Sequence, residues 1–492
     1  MAAASLAALV IGLNPAGSNA QTVVLKNKDG LFEFEGRLLS SEDGIYRLDT
    51  SVGAVNIPID QVDCIGAACP ENQAPEIVTP APTANLAIAN TAITVDSQSA
   101  FALASAAAEV AGIPVAGTNQ QGLELARATR GVGPDAVFST NLLTDTRLNQ
   151  QNRAVVAYDA LIVVTAPDVS VQEMSTDNLA AILSGSITRW SQLGGQDIPI
   201  TIFVREDGSD ERRLVDETVL SPRGLRLADR VFKVDNNAGI ANAMAAFPGA
   251  IGITKYRYRA QQRVMKLTDE CGIPRTPDAF SINSGSYLMT EAVHVPADGI
   301  RQGGEVGELF AALGGPQGPG LIEAAGFVFP EVISSPGAER SALFQRVISL
   351  AQNEPETSPV RAAAVNFVEE LFSAERLSST FRFAGNRLDA FGAAELDRLV
   401  DYLANAGLSD REILFVGFAG GPEDLPLSLG QSRALAAAVL RRFLDRAPGL
   451  NQRPDLGFAT LGFGGVAPVG CNALAGGDLL NTRVEVWIRP LS

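Results

Sequence analysis

The sequence has a single histidine, His294, among 492 residues, and that scarcity excludes much chemistry. A Ser–His–Asp or Cys–His arrangement has only this imidazole to draw on, and it lies in Thr290-Glu291-Ala292-Val293-His294-Val295 with no nucleophile motif nearby. No Walker loop, dinucleotide-binding fingerprint or HExxH occurs, so neither an enzyme nor a cofactor is expected. Positive charge is also short: 38 Lys and Arg stand against 55 Asp and Glu, a net charge of -17. Such a surface repels nucleic acid and anionic lipid at long range, so neither is an expected partner. Beyond the first 20 residues no 18-residue apolar stretch free of charge appears, and no membrane-spanning helix is expected.

Cysteine is sparse as well, with four residues. Cys64 and Cys69 flank Ile-Gly-Ala-Ala and are expected to close a small disulfide loop in an oxidising compartment. A zinc site there would need further ligands. Cys271 and Cys471 fall in different proposed domains and are read as free buried thiols. Residues 1–20 begin with an apolar run and end in Ser18-Asn19-Ala20, the small-x-small form of a signal-peptidase site; the positive n-region is missing. The expectation is an exported chain with a signal peptide; the other reading is an Ala-rich disordered end.

The length suggests about three domains. Residues 21–70 read as a small β module, because short apolar strands are separated by Lys28-Asp29-Gly30 and Glu42-Asp43-Gly44 turns. Pro70, Pro75, Pro80 and Pro82 mark a linker, placed at 71–84. Residues 85–345 alternate strand-like runs (154–166, 198–204, 250–256) with helical spacing, which predicts an α/β architecture with mostly parallel sheet. A helical connector is expected at 346–374. Residues 375–492 follow a β-α-β-α-β-β order, a compact α+β unit.

The body resembles the phosphate-type (PstS-like) periplasmic binding proteins. The residues that carry the likeness are Tyr158-Asp159-Ala160-Leu161-Ile162-Val163, the stretch 179–195 (LAAILSGSITRWSQLGG), the stretch 246–256 (AFPGAIGITKY) and the segment 284–290. The resemblance implies a two-lobed periplasmic-binding fold (type II-like) with a ligand cleft between lobes, a small oxyanion as ligand, and an ABC-type permease as a further partner. In that family a strand-to-helix loop of the form Arg-Glu-x-Gly-Ser-Gly-Thr-Arg holds the anion through hydroxyls, backbone N–H groups and arginine. Here it is Arg205-Glu206-Asp207-Gly208-Ser209-Asp210-Glu211-Arg212. Arg205, Ser209 and Arg212 are kept, with Ser139 and Thr140 as further expected contacts. Asp210 and Glu211 replace the Gly-Thr pair, and Asp96 stands where the first anion loop would carry a glycine. Two carboxylates at a helix start complement its dipole. Against a phosphate at about 4 Å, each repels by roughly 4 kcal/mol at an effective dielectric of 20.

The C-terminal unit resembles OmpA-like peptidoglycan-associating domains through Leu429-Gly430-Gln431-Ser432-Arg433-Ala434, the loop 461–472 (LGFGGVAPVGCN) and Asn481-Thr482-Arg483-Val484-Glu485. The likeness implies recognition of a zwitterionic peptide stem by an arginine and an acid. Arg433 fits the first part. Gly420 stands at the acid's position, leaving Glu423 or Asp424 in the next loop as substitutes. Two readings follow: an oxyanion-binding protein tethered to the cell wall or outer membrane on its periplasmic side, or a structural envelope protein with both sites degenerate.

Overall fold

The computed structural model of the chain describes residues 22–27, 33–42, 44–50, 53–59, 62–66, 68–70, 93–95, 98–111, 136–138, 153–269, 271–296, 304–384, 387–388, 390–420, 425–471 and 480–491. The expected signal peptide and proline-rich linker lie outside them.

Alternating apolar residues fold the N-terminal segment into β1 (Thr22–Asn27), β2 (Glu33–Glu42), β3 (Ile45–Thr50), β4 (Gly53–Pro58) and β5 (Val62–Ile65). They run antiparallel in the order β4-β3-β2-β1-β5. Val23, Leu25, Leu48, Val55 and Ile57 point into the core. A disulfide joins Cys64 to Cys69.

The body adds β6 (Ile93–Val95), β7 (Ala136–Phe138), β8 (Arg153–Thr165), β9 (Glu173–Ser175), β10 (Thr201–Arg205), β11 (Phe232–Val234), β12 (Ala250–Lys255), β13 (Arg263–Val264), β14 (Lys266–Thr268), β15 (Pro274–Arg275) and β16 (Thr290–Pro296). Its main sheet runs β13-β8-β12-β10-β11 and continues directly into β4 of the N-terminal strands. β10 is parallel to β11 and β12. β8 is antiparallel to β12, β13 and β16, and β11 is antiparallel to β4. The sheet is therefore mixed where a mostly parallel one was expected. The N-terminal strands are not a separate sheet: β4 covers the edge that the short β11 would otherwise expose.

Two cores meet along β8. Its second half (Ala160 to Val164) packs in a large core with Phe203, Ile251 and Trp190. Its first half (Ala154, Val156, Ala157) packs in a smaller one with Val293 and Val295 of β16 and with the helices Gln98–Ala111, Gly304–Gly314 and Gly318–Ala324. A 13-residue strand is thus shared by two lobes, and the residues between its halves sit at their junction.

The C-terminal sheet holds β17 (Glu375–Ala384), β18 (Arg387–Leu388), β19 (Arg411–Phe418), β20 (Leu456–Gly462) and β21 (Arg483–Pro490), ordered β18-β17-β21-β19-β20. β19 is apolar on both faces, so both need cover. The helices Ala390–Asn405 and Leu425–Arg446 bury Ile413 and Phe415. Gly337–Asn353 and Pro359–Leu371 bury Leu414, Val416 and Trp487 on the other side. The boundary expected at 345 falls inside the helix Gly337–Asn353, and the segment expected as a connector packs as one face of this unit.

Cys271 and Cys471 form a disulfide across a sequence separation of 200, which corrects the expectation of free thiols: separation along the chain carries no information on distance in the fold. Two arginines reinforce this joint. Arg382 donates to the carbonyls of Ser284 and Gly285, and Arg398 donates to the Tyr158 hydroxyl at 2.9 Å.

Candidate functional site

β10 is buried along its whole length and ends at Arg205. The chain then turns through Gly208, whose φ of 82° is in the left-handed region that favours glycine. Ser209 caps the helix Asp210–Val215: its Oγ accepts from the Arg212 N–H at 3.2 Å and donates to the Glu206 carbonyl at 2.8 Å. Arg205 Nη1 donates to the Val234 carbonyl at 2.7 Å. Arg212 turns away to Asp216, with its Nε and Nη2 at 3.0 and 2.8 Å from the two carboxylate oxygens. All three expected anion contacts thus have internal partners. Ser139, Thr140 and Asp96 lie outside the described residues.

Glu211, expected as a helix-capping charge, is instead buried. Its Oε1 accepts from Asn237 Nδ2 at 2.6 Å, and its carboxylate lies 3.6 Å from Arg205 Nε and 3.8 Å from Lys255 Nζ. Lys255, at the end of β12, also reaches Asp159 Oδ2 at 2.9 Å and lies over the Phe327 ring of the smaller lobe. Asp159 sits on β8 between the halves that serve the two cores, so this cluster lies at the lobe junction. Across the ladder Asp159 faces Glu291, which Arg213 binds at 2.6 Å. Burial pushes the Glu211 carboxyl up, but Lys255 and Arg205 outweigh it and hold it below the usual carboxylate range. Burial lowers Lys255, and Asp159 and Glu211 more than offset that. Glu291 goes the other way: burial, with Asp159 and Asp210 adding repulsion, pushes it to about 7 against the pull of Arg213.

Lys255, Asp159 and Asn237 were not singled out from sequence. The signal was there for Asp159: a carboxylate inside a long apolar strand pattern is a buried charge that needs a partner.

From Arg205, Glu211 and Arg212 a cavity of about 10 Å³ opens, room for one water at most. A wider groove of about 530 Å³ lies between the N-terminal strands and the body, where Asn56, Arg212, Arg226 and Lys233 face Asp207, Asp216 and Asp229. Its charges are of both signs and two of its cations are paired, Arg212 with Asp216 and Lys233 with Asp207. The groove is mixed in charge and the small cavity is too tight for an anion, so the cluster of Arg205 and Lys255 around Glu211, not either opening, marks the candidate site. On the loop itself, Asn56 donates to Glu206 at 2.8 Å, so the N-terminal strands hold one side of it.

In the C-terminal unit the helix bearing Arg433 lies directly on two strand ends. A Cβ at Gly417 would meet the Ser432 carbonyl at 1.9 Å, and one at Gly462 would meet Arg433 at 2.4 Å. Ser432 accepts from the Gly464 N–H at 3.1 Å, fixing the adjacent loop. Arg433 is exposed beside it, and among the described residues no carboxylate lies within ion-pair distance. Gly420 follows at the end of β19; Glu423 and Asp424 lie outside the described residues. Asn481 is structural, accepting from the Val469 and Gly470 N–H groups at 2.8 and 2.9 Å. Arg483 is also structural: its Nε meets Glu485 at 2.7 Å with both side chains fully buried. His294 is buried on β16. Among the described residues there is no group of three or more His, Cys, Asp or Glu side chains suited to a metal, and no helix long and apolar enough to cross a membrane.

A family model described as a PBP superfamily domain matches residues 80–299. The phosphate-binding protein PstS of Borreliella burgdorferi is 24% identical over 199 residues, covering 39% of this chain and 71% of that protein. PstS of Bacillus subtilis is 30% identical over 139 residues, covering 28% of this chain and less than half, 44%, of that protein. Among solved structures, PstS from Borrelia burgdorferi matches with a TM-score of 0.37 at 19% identity, covering 49% of this chain and 98% of that one. An ABC-type phosphate transport receptor from Vibrio cholerae matches with a TM-score of 0.39 at 19% identity, covering 49% and 100%. Both of these curated proteins are named as phosphate-binding proteins. By sequence, residues 80–299 of this chain are similar to the PBP superfamily domain, and the body resembles the two PstS proteins over part of its length.

Proposed function

We propose that the chain is an exported binding protein whose body takes up phosphate or a related oxyanion and hands it to an ABC-type permease. In this reading the unit 375–492 is an OmpA-like domain that ties the body to peptidoglycan through Arg433. The observation that carries the oxyanion reading is the convergence of Arg205 and Lys255 on one buried point at the lobe junction. Both curated relatives are named for phosphate binding. A thermal-shift measurement of the full chain with phosphate and with sulfate tests it. One site at about 100 times Kd adds about 2.7 kcal/mol of stability. No shift with either anion would reject oxyanion binding. Co-sedimentation with insoluble peptidoglycan tests the tether: Arg433→Ala is expected to leave the protein in solution, and equal pelleting would remove Arg433 from that role.

A second reading, an envelope scaffold that binds neither ligand, is favoured by the internal bonding of Arg205, Ser209 and Arg212.

A further inference from the structure

A buried ion pair normally closes to hydrogen-bond length, because only short contacts offset the cost of desolvating both charges. Glu211 departs from this. Its carboxylate stands 3.6 Å from Arg205 and 3.8 Å from Lys255, and its one close side-chain partner is the neutral amide of Asn237 at 2.6 Å. The donors around it are not used up. Arg205 Nε and Arg212 Nη1 are buried with no hydrogen-bond partner among the described residues, and both arginines line the small cavity beside Glu211. These groups are built to hold an acceptor larger than one carboxylate oxygen, yet the cavity of about 10 Å³ admits no tetrahedral anion while Glu211 fills the space.

Charge leads to the same place. Arg205 and Lys255 face Glu211 and Asp159, so the cluster is neutral with Glu211 in place and carries one net positive charge without it. Resting on the oxyanion reading above, we propose that Glu211 is a built-in competitor for the anion. Its carboxylate occupies the Arg205–Lys255 pair in the ligand-free protein, and a tetrahedral oxyanion binds by displacing it. Glu211 is then the residue that sets the affinity of the site, and it makes the wild-type chain a weak binder.

The test is calorimetric titration of the full chain with inorganic phosphate and with sulfate at fixed pH and ionic strength. Removing the charge in Glu211→Gln is expected to tighten binding by about tenfold or more, since the anion then displaces a neutral amide rather than a carboxylate paired with two cations. Glu211→Thr is expected to do the same, and it carries the test if the Gln variant folds poorly. Adding Arg205→Ala to either variant is expected to abolish the gain. Glu211→Asp, which keeps the charge, is expected to gain little; a gain equal to that of Gln would overturn the competition. Equal affinities for wild type and Glu211→Gln, both lost with Arg205→Ala, would overturn the competitor role and leave the oxyanion site standing. Variants that melt cooperatively like wild type yet bind neither anion would overturn both.

Discussion

Two buried glutamates, Glu211 in the body and Glu485 in the C-terminal unit, each sit between two cations, and they are held in opposite ways. Glu485 is saturated: Arg483 reaches it at 2.7 Å, Arg376 at 2.9 Å and the Trp487 indole at 3.1 Å. Burial pushes its carboxyl up, and the two guanidinium groups more than reverse this. Glu211 has the same charge environment with longer ion pairs, and donors beside it are left over. A carboxylate with every partner at bonding distance is part of the core. One held loosely beside unused donors at a lobe junction is where a ligand has something to gain.

The largest effect expected is from the disulfide that joins these two regions. Closing a loop of 200 residues restricts the unfolded chain by about 5 kcal/mol in the chain-entropy picture, against about 2 kcal/mol for the short Cys64–Cys69 loop. The Cys271→Ser, Cys471→Ser double variant is expected to lose most of that in urea denaturation and to separate the melting of the C-terminal unit from that of the body. A single unchanged transition would show that the contacts of Arg382 and Arg398 suffice to hold the joint.

Next comes the core glutamate. Glu485→Ala leaves Arg483 and Arg376 buried and unpaired, and removing one partner of such a cluster costs about 3–5 kcal/mol. The same denaturation experiment on Glu211→Gln is expected to show a loss of about 1 kcal/mol, close to that of one ordinary hydrogen bond. Equal losses at the two sites would erase the distinction between a core clamp and a ligand site.

Glu291, opposite Asp159, gives the body a pH signature. Its carboxyl is raised from 4.5 to about 7 in the folded protein. The folded state therefore binds the proton more tightly than the unfolded chain. This stability is fully present below pH 4.5 and is lost as pH rises through 7, about 3 kcal/mol in all. Glu291→Gln is expected to flatten that decline in a pH series of unfolding free energies. Glu339, also raised to about 7 by burial, contributes a similar slope that Glu339→Gln removes separately. If the slope survives both substitutions, neither carboxyl is its source.

Much of the architecture was legible because it is written in local periodicity. The strand-like runs at 154–166 and 250–256 and the helical spacing between them follow from apolar periodicity. The pairing of β4 with β11 was not legible: it depends on which edge is left open after the body folds, and neither strand's pattern names its partner. The same holds for Cys271 and Cys471. At the site, the loop motif pointed to Arg205 and Ser209, and the departure at Glu211 was visible as a change of charge. What that charge does was set by Lys255 and Asn237, from strands and helices far along the chain. A helix-start carboxylate is ordinarily read as a dipole partner, and only burial shows that Glu211 turns inward.

The smallest effect distinguishes two roles that the loop motif leaves together. Ser209 is a family-type anion contact by sequence and a helix cap by geometry. Its oxygen accepts from the Arg212 N–H, and its proton goes to the Glu206 carbonyl. Both functions of the hydroxyl are spent before a ligand arrives. Ser209→Ala is therefore expected to cost about 1 kcal/mol of stability, the usual loss for a missing cap. In a Glu211→Gln background it is expected to leave phosphate affinity within about twofold, less than one neutral hydrogen bond is worth. A tenfold or greater loss of affinity with unchanged stability would reverse the assignment. It would mean that the hydroxyl leaves Glu206 for the anion, and that the loop, as well as Glu211, rearranges on binding.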